Sequence, residues 1–211
     1  MSGLFITFEG TEGCGKTTQI ALLAERLKAQ GRAVTQLREP GGTPIGEEIR
    51  HTLKHSEANH AMTPEAELLL MSASRAQLVR EIIRPALTAG GIVLSDRFYD
   101  STLAYQGYGR GLDLKTIKAM TDFAVGETRP NLTFLLRVSV EASRARLAAR
   151  RSAQPVMRDR FEEADAGFFD RVAEGYEAMA SAEPGRIKVI DADAAVDVVS
   201  AAIWRHVEAL F

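Results

Sequence analysis

With 211 residues, 45% of them hydrophobic and 26% charged, the chain is long enough for a sizeable core and ordinary in composition for a soluble globular protein. A formal net charge of −2 excludes a global pull on nucleic acid, so anion binding must come from locally grouped arginines. One cysteine excludes an internal disulfide, no signal peptide is read, and no apolar run approaches the ~18 residues of a membrane span, so a single cytoplasmic domain over residues 1–211 is expected.

The first predicted strand, Leu4 to Phe8, runs into Gly10-Thr11-Glu12-Gly13-Cys14-Gly15-Lys16-Thr17, which fits the phosphate-binding pattern G-x-x-x-x-G-K-[ST]. A helical pattern opens at Thr18. Strand, glycine loop and helix together form the context this pattern needs. Glycines let backbone N–H groups turn inward on phosphate oxygens, and the helix adds the positive end of its dipole. Residues Gly10 to Thr18 are therefore expected to cradle a triphosphate, with Lys16 reaching the β/γ-phosphates and the Thr17 hydroxyl on Mg²⁺. Cys14 reads as a small filler; the alternative is a redox-sensitive thiol at a helix N-terminus.

Further β-prone runs follow at Ala33 to Leu37, Gly91 to Ser95, Leu132 to Val138 and Arg186 to Ile190, each separated from the next by helical patterning. Alternation of this kind implies crossover connections, hence an α/β fold with a five-stranded parallel sheet flanked by helices on both faces. Ligands then bind beyond the carboxyl ends of the strands, which directs attention to Arg38-Glu39-Pro40-Gly41-Gly42, Asp96-Arg97 and the segment from Ser139.

After Thr63-Pro64 a helix is expected, with Thr63 as N-cap and Glu65 and Glu67 complementing its dipole. Its inward stripe is Leu68, Met71, Arg75, Leu78 and Ile82. A guanidinium on an apolar face is costly unless paired, so Arg75 requires a buried carboxylate or a ligand. Met71, one turn earlier, flanks the same place. Asp96, at a strand end beside the glycine loop, suits Mg²⁺, held directly or through water, and Arg97 suits two phosphate groups. Thr102 and Gln106 lie four apart on a short helix, and a hydroxyl beside an amide suits a nucleobase edge.

Arg144, Arg146, Arg150, Arg151, Arg158 and Arg160 crowd into one stretch with a single acid, Asp159. Ser152 to Val156 breaks helix, so residues 146–162 read as a mobile basic lid. Arg144 and Arg146 themselves read as a solvated helix face. Ser139-Val140-Glu141 stands where a guanine-reading N-K-x-D would follow the fourth strand, which argues against a nucleotide-switched binding protein.

Phe8-Glu9-Gly10 through Thr18, Arg38 to Thr43, and Asp96-Arg97-Phe98-x-x-Ser101-Thr102-x-Ala104-Tyr105-Gln106 stand in the order and spacing of bacterial thymidylate (dTMP) kinases. The chain resembles that family over nearly its full length. The resemblance implies a P-loop nucleoside-monophosphate-kinase fold, ATP as phosphoryl donor with Mg²⁺, dTMP as acceptor, and a homodimer with no nucleic-acid or membrane partner. By the same resemblance Lys16, Arg97 and one of Arg158 and Arg160 are catalytic. Glu12, Glu39, Pro40, Arg50, Met71, Arg75, Arg97, Thr102, Tyr105 and Gln106 bind dTMP, with Arg50 on its phosphate, Arg75 on its base, Glu12 near the 3′-OH and Tyr105 crowding a 2′-OH; Thr17 and Asp96 hold the metal. Gly13 follows the acid Glu12, as in members whose catalytic arginine comes from the lid. Met71 departs from the family's phenylalanine, which implies weaker base discrimination. A kinase of another pyrimidine deoxynucleotide or deoxynucleoside is the nearest alternative.

Overall fold

The protein is described by a computed structural model over residues 3–153 and 166–211. Five strands, β1 (Leu4–Glu9), β2 (Val34–Arg38), β3 (Ile92–Asp96), β4 (Leu132–Arg137) and β5 (Ile187–Asp191), pair in parallel in the order β2-β3-β1-β4-β5. Three begin and end one residue later than the apolar runs indicate. Their polar last residues still pair: Arg38 lies opposite Asp96, and Arg137 opposite Asp191. Backbone pairing is indifferent to side-chain polarity, so the ladder outlasts the hydrophobic pattern.

Period-2 alternation distributes each strand between two cores. Ile6, Phe8, Leu94 and Phe134 face one side, where Ile20, Leu23 and Leu27 of α1 (Lys16–Ala29) and Ile203, Trp204 and Val207 of α9 (Val196–Glu208) cover them. Phe5 and Val93 face the other side, against Leu78, Val79 and Ile83. Thr7 also faces that side, where its hydroxyl meets that of Thr133 at 2.7 Å, so two buried polar atoms of β1 and β4 satisfy each other.

The connections that build the site are α2 (Pro44–Lys54), α3 (Pro64–Leu78), α4 (Arg84–Thr88), α5 (Tyr99–Thr102), α6 (Leu114–Val125), α7 (Val140–Ala153) and α8 (Ala166–Ala182). Thr63 caps α3 as expected, accepting from the Ala66 N–H at 3.3 Å. A π-helical turn, Val79–Ile83, carries α3 into α4, and a second, Leu103–Gly109, extends α5. Ser152 and Ala153 lie within α7, not in a break after it. Because β1 sits between β3 and β4, the loops after β1 and β3 emerge side by side at the sheet's carboxyl edge, the place where open parallel sheets bind ligands.

Candidate active site

The glycine loop leaves β1 through Gly10, whose φ of +132° favours glycine and where a Cβ would lie 2.5 Å from the Leu136 carbonyl oxygen. Lys16 turns its ammonium onto the loop itself, donating to the Gly10 and Thr11 carbonyls at 3.1 Å. Cys14 is buried in the core below, in keeping with the filler reading. Thr17 donates from its hydroxyl to Asp96 Oδ2 at 3.0 Å, which brings the two expected metal ligands together at the start of α1. Both are hard oxygen donors. No group of three or more His, Cys, Asp and Glu residues among the described residues could hold a metal alone. The pair therefore fits Mg²⁺, which keeps water and takes phosphate oxygens in preference to an all-protein cage.

Arg97 follows directly and adopts φ +70°, a left-handed conformation that costs a non-glycine residue roughly 1–2 kcal/mol. Its guanidinium is over-determined by partners. Nη2 donates to Glu12 at 2.7 Å and to the Tyr105 hydroxyl at 3.1 Å, while Nη1 donates to Ser101 at 3.1 Å and to the Tyr176 hydroxyl at 3.2 Å. Burial alone would raise the Glu12 carboxyl; Arg97, Lys16 and Lys54 outweigh it and hold that group well below the usual carboxylate range.

A cleft of about 460 Å³ opens beside Arg97, lined by Glu39 and Pro40 after β2, Lys54 of α2, Met71 and Arg75 of α3, and Thr102, Tyr105 and Gln106 beyond β3. Arg75 is 2% exposed and finds the buried carboxylate its position demands. Glu39 Oε2 accepts from Nε at 2.8 Å and lies 2.7 Å from Nη2; Nη1 donates to Thr102 at 2.9 Å, and Nη2 to the Phe98 carbonyl at 3.2 Å. A guanidinium has five N–H groups. These contacts leave one Nη1 hydrogen without a partner among the described residues. Burial pushes the Glu39 carboxyl up against the pull of Arg75, and its Oε1 is a buried acceptor with no hydrogen-bond partner.

Behind Arg97 lies Glu9, 1% exposed, accepting from the Phe98 N–H at 2.8 Å, the Ser101 hydroxyl, and the Tyr176 hydroxyl at 2.9 Å. Burial and then Asp100 push its carboxyl up to about 7, against Arg97 and these hydrogen bonds. The folded protein thus holds a proton that the unfolded chain, at an ordinary value of 4.5, has released, so this group's contribution to stability falls as pH rises from 4.5 through 7. Glu9→Gln is expected to be more stable than wild type at pH 8, by up to about 3 kcal/mol, and to lose that advantage at pH 5. Urea unfolding at the two pH values measures this; an equal difference at both would refute it.

The thymidylate kinase family model matches residues 8–203. The chain belongs to the thymidylate kinase family. It is 48% identical to the thymidylate kinase of Desulforudis audaxviator over 211 residues, covering 100% of this chain and 92% of that relative. It is 50% identical to that of Geotalea uraniireducens over 202 residues, covering 95% and 94%. Among solved structures, thymidylate kinase from Ehrlichia chaffeensis superimposes with a TM-score of 0.78 at 32% identity, covering 98% of this chain and 100% of that one. Membership carries the activity: transfer of the ATP γ-phosphoryl group to dTMP, giving dTDP and ADP.

Within this family member, every residue expected to bind dTMP lines the cleft except Arg50, whose Nη1 donates to the Pro40 carbonyl at 2.8 Å. Lys54, one turn later on α2, stands in the cleft wall instead. Arg158 and Arg160 lie outside the described residues. Glu67 stands in the first turn of α3, as expected of a partner of the helix dipole, and is in addition a fully buried carboxylate that binds Gln106 and Arg110. Arg146 is exposed yet tied down, donating to the Ala192 carbonyl at 2.8 Å and reaching the Gly13 carbonyl at 3.5 Å. Gly13, at φ +75°, packs against α7 so closely that a Cβ would meet the Ser143 carbonyl oxygen at 3.0 Å. Tyr176 and Lys54 were not singled out from sequence, and Glu9 stood only as part of the Phe8-Glu9-Gly10 motif. Tyr176 hides in an apolar stripe, and Lys54 hides among ordinary charged residues.

Proposed function

We propose that dTMP occupies the 460 Å³ cleft and ATP the glycine loop, with Arg97 neutralising charge on both. The observation that carries this assignment is the position of the Arg97 guanidinium. It lines the cleft and simultaneously holds Glu12 of the glycine loop at 2.7 Å. The reaction brings a dianionic acceptor in line with a polyanionic donor. A 5′-phosphate oxygen of dTMP forms a bond to the γ-phosphorus as the bond to the β–γ bridging oxygen breaks, and the electron pair stays on ADP. Little covalent work falls to the protein, so catalysis is positioning and cationic clamping. Lys16 exchanges the Gly10 and Thr11 carbonyls for β/γ-phosphate oxygens, and Arg158 or Arg160, outside the described residues, is assigned to the transferring group as the lid arginine of the family. Thr17 and Asp96 hold Mg²⁺, which when bound neutralises charge on the phosphate oxygens.

At the base, Arg75 offers its remaining Nη1 hydrogen, and Met71 packs its thioether on the ring, worth about 0.3–1.5 kcal/mol. Tyr105 fills the place of a ribose 2′-OH. The family reading places the protein in the cytoplasm as a homodimer; Phe123 of α6 and Leu69 of α3, 81% and 59% exposed on helices that pack together, support the dimer. No helix among the described residues is long and apolar enough to cross a membrane.

The test is a panel of acceptors, dTMP, dUMP, dCMP, AMP and thymidine, with γ-labelled ATP. Transfer to dTMP is expected to exceed that to every other acceptor, with dUMP next. Preferential labelling of thymidine or AMP would overturn the assignment. Sedimentation of the same preparation should report twice the 23.0 kDa chain mass.

A further inference from the structure

We propose that Glu67 is a positioning residue that dictates which way the Gln106 amide faces, and that through it the acceptor cleft selects pyrimidines with an N3–H and a 4-oxo group over 4-amino pyrimidines. This rests on the placement of dTMP in the cleft. Glu67 lies in the first turn of α3 with no exposed surface, and Gln106, 1% exposed, sits inside the π-helical turn that follows α5. Gln106 Nε2 donates to Glu67 Oε1 at 2.7 Å. Arg110 holds the same carboxylate from the other side, Nη2 donating to Oε2 at 3.1 Å and Nε to Oε1 at 3.4 Å.

A carboxylate held by a guanidinium only accepts hydrogen bonds, so the amide cannot present its oxygen to it; two acceptors would face each other at 2.7 Å. The orientation of Gln106 is therefore set by the chemistry of its partner. With Nε2 committed, the Oε1 side is what Gln106 brings to the cleft it lines. The neighbouring Arg75 adds a donor. An acceptor beside a donor matches an imide N–H next to a carbonyl. Cytosine presents the reverse, a lone pair at N3 and an amino group at C4, and both contacts become like against like. Gln106 cannot turn to suit cytosine without abandoning Glu67.

Glu67→Leu tests this. It removes both oxygens that Gln106 and Arg110 share and leaves Arg110 as a donor facing Gln106, so the amide is released to turn its oxygen toward Arg110 and its NH₂ toward the cleft. In kcat/KM, dTMP is expected to fall while dCMP rises in absolute terms, shifting their ratio by at least about a hundredfold. Loss of packing alone would lower both substrates together, and that outcome overturns the proposal, as does an unchanged ratio. Should that variant not fold, Glu67→Asp draws the carboxylate back from Gln106 and frees the amide, so dCMP must rise by several-fold; failure to rise overturns the proposal equally. A wild type that is inactive on dTMP would sink the placement of dTMP and this inference together, whereas an active wild type with an insensitive ratio sinks this inference alone.

Discussion

Arg97→Ala is expected to lower kcat by at least roughly a thousandfold, about 4 kcal/mol of transition-state stabilisation, while the protein still folds and binds ATP. The side chain joins the glycine loop, α5, the following π-helical turn and α8 through Glu12, Ser101, Tyr105 and Tyr176. Of the residues that line the cleft, Glu12 belongs to the glycine loop itself, and Arg97 holds it at 2.7 Å. Arg97→Lys keeps the charge but loses the planar fork that serves four partners, so it should recover little of the rate. Circular dichroism and single-turnover transfer on purified protein make the comparison. A tenfold loss or less in Arg97→Ala would remove this residue from the mechanism.

Glu39→Ala should cost about 3–5 kcal/mol of stability, because it leaves the Arg75 guanidinium buried without its counter-charge. Both side chains are under 5% exposed, so solvent cannot substitute. Combining Glu39→Ala with Arg75→Met should cost clearly less than the two single changes added together, since the second removes the orphaned charge created by the first. Recovery stays incomplete because the Phe98 carbonyl and the Thr102 hydroxyl lose a donor. Urea unfolding followed through Trp204, the single tryptophan, gives all four corners of the cycle. Simple additivity, or a loss under about 1 kcal/mol for Glu39→Ala, would contradict the buried pair.

What could be read from sequence was what is local in sequence. The glycine loop and the Asp96-Arg97 pair are contiguous, and their chemistry depends on neighbours a few residues away. Arg75 was legible for a related reason: a cation on an apolar helical stripe announces an unseen partner. The partner's identity was not legible, because Glu39 lies 36 residues away and meets Arg75 only through the sheet. The first-turn position of Glu67 was legible but its burial was not, because that depends on Arg110, which arrives from another element. Tyr176 had no signal beyond its apolar spacing, since a phenol in a core stripe looks the same whether or not its hydroxyl meets Glu9 from 167 residues away. Strand ends were off by one where a charged last residue continued the ladder past the apolar run.

The left-handed backbone at position 97 sets folding and turnover against each other. Glycine would relax that conformation, yet only arginine delivers the forked cation. Libraries screened for heat tolerance alone should drift away from arginine there, while libraries screened for growth on the enzyme's product should keep it. One codon would then report which pressure a population has experienced.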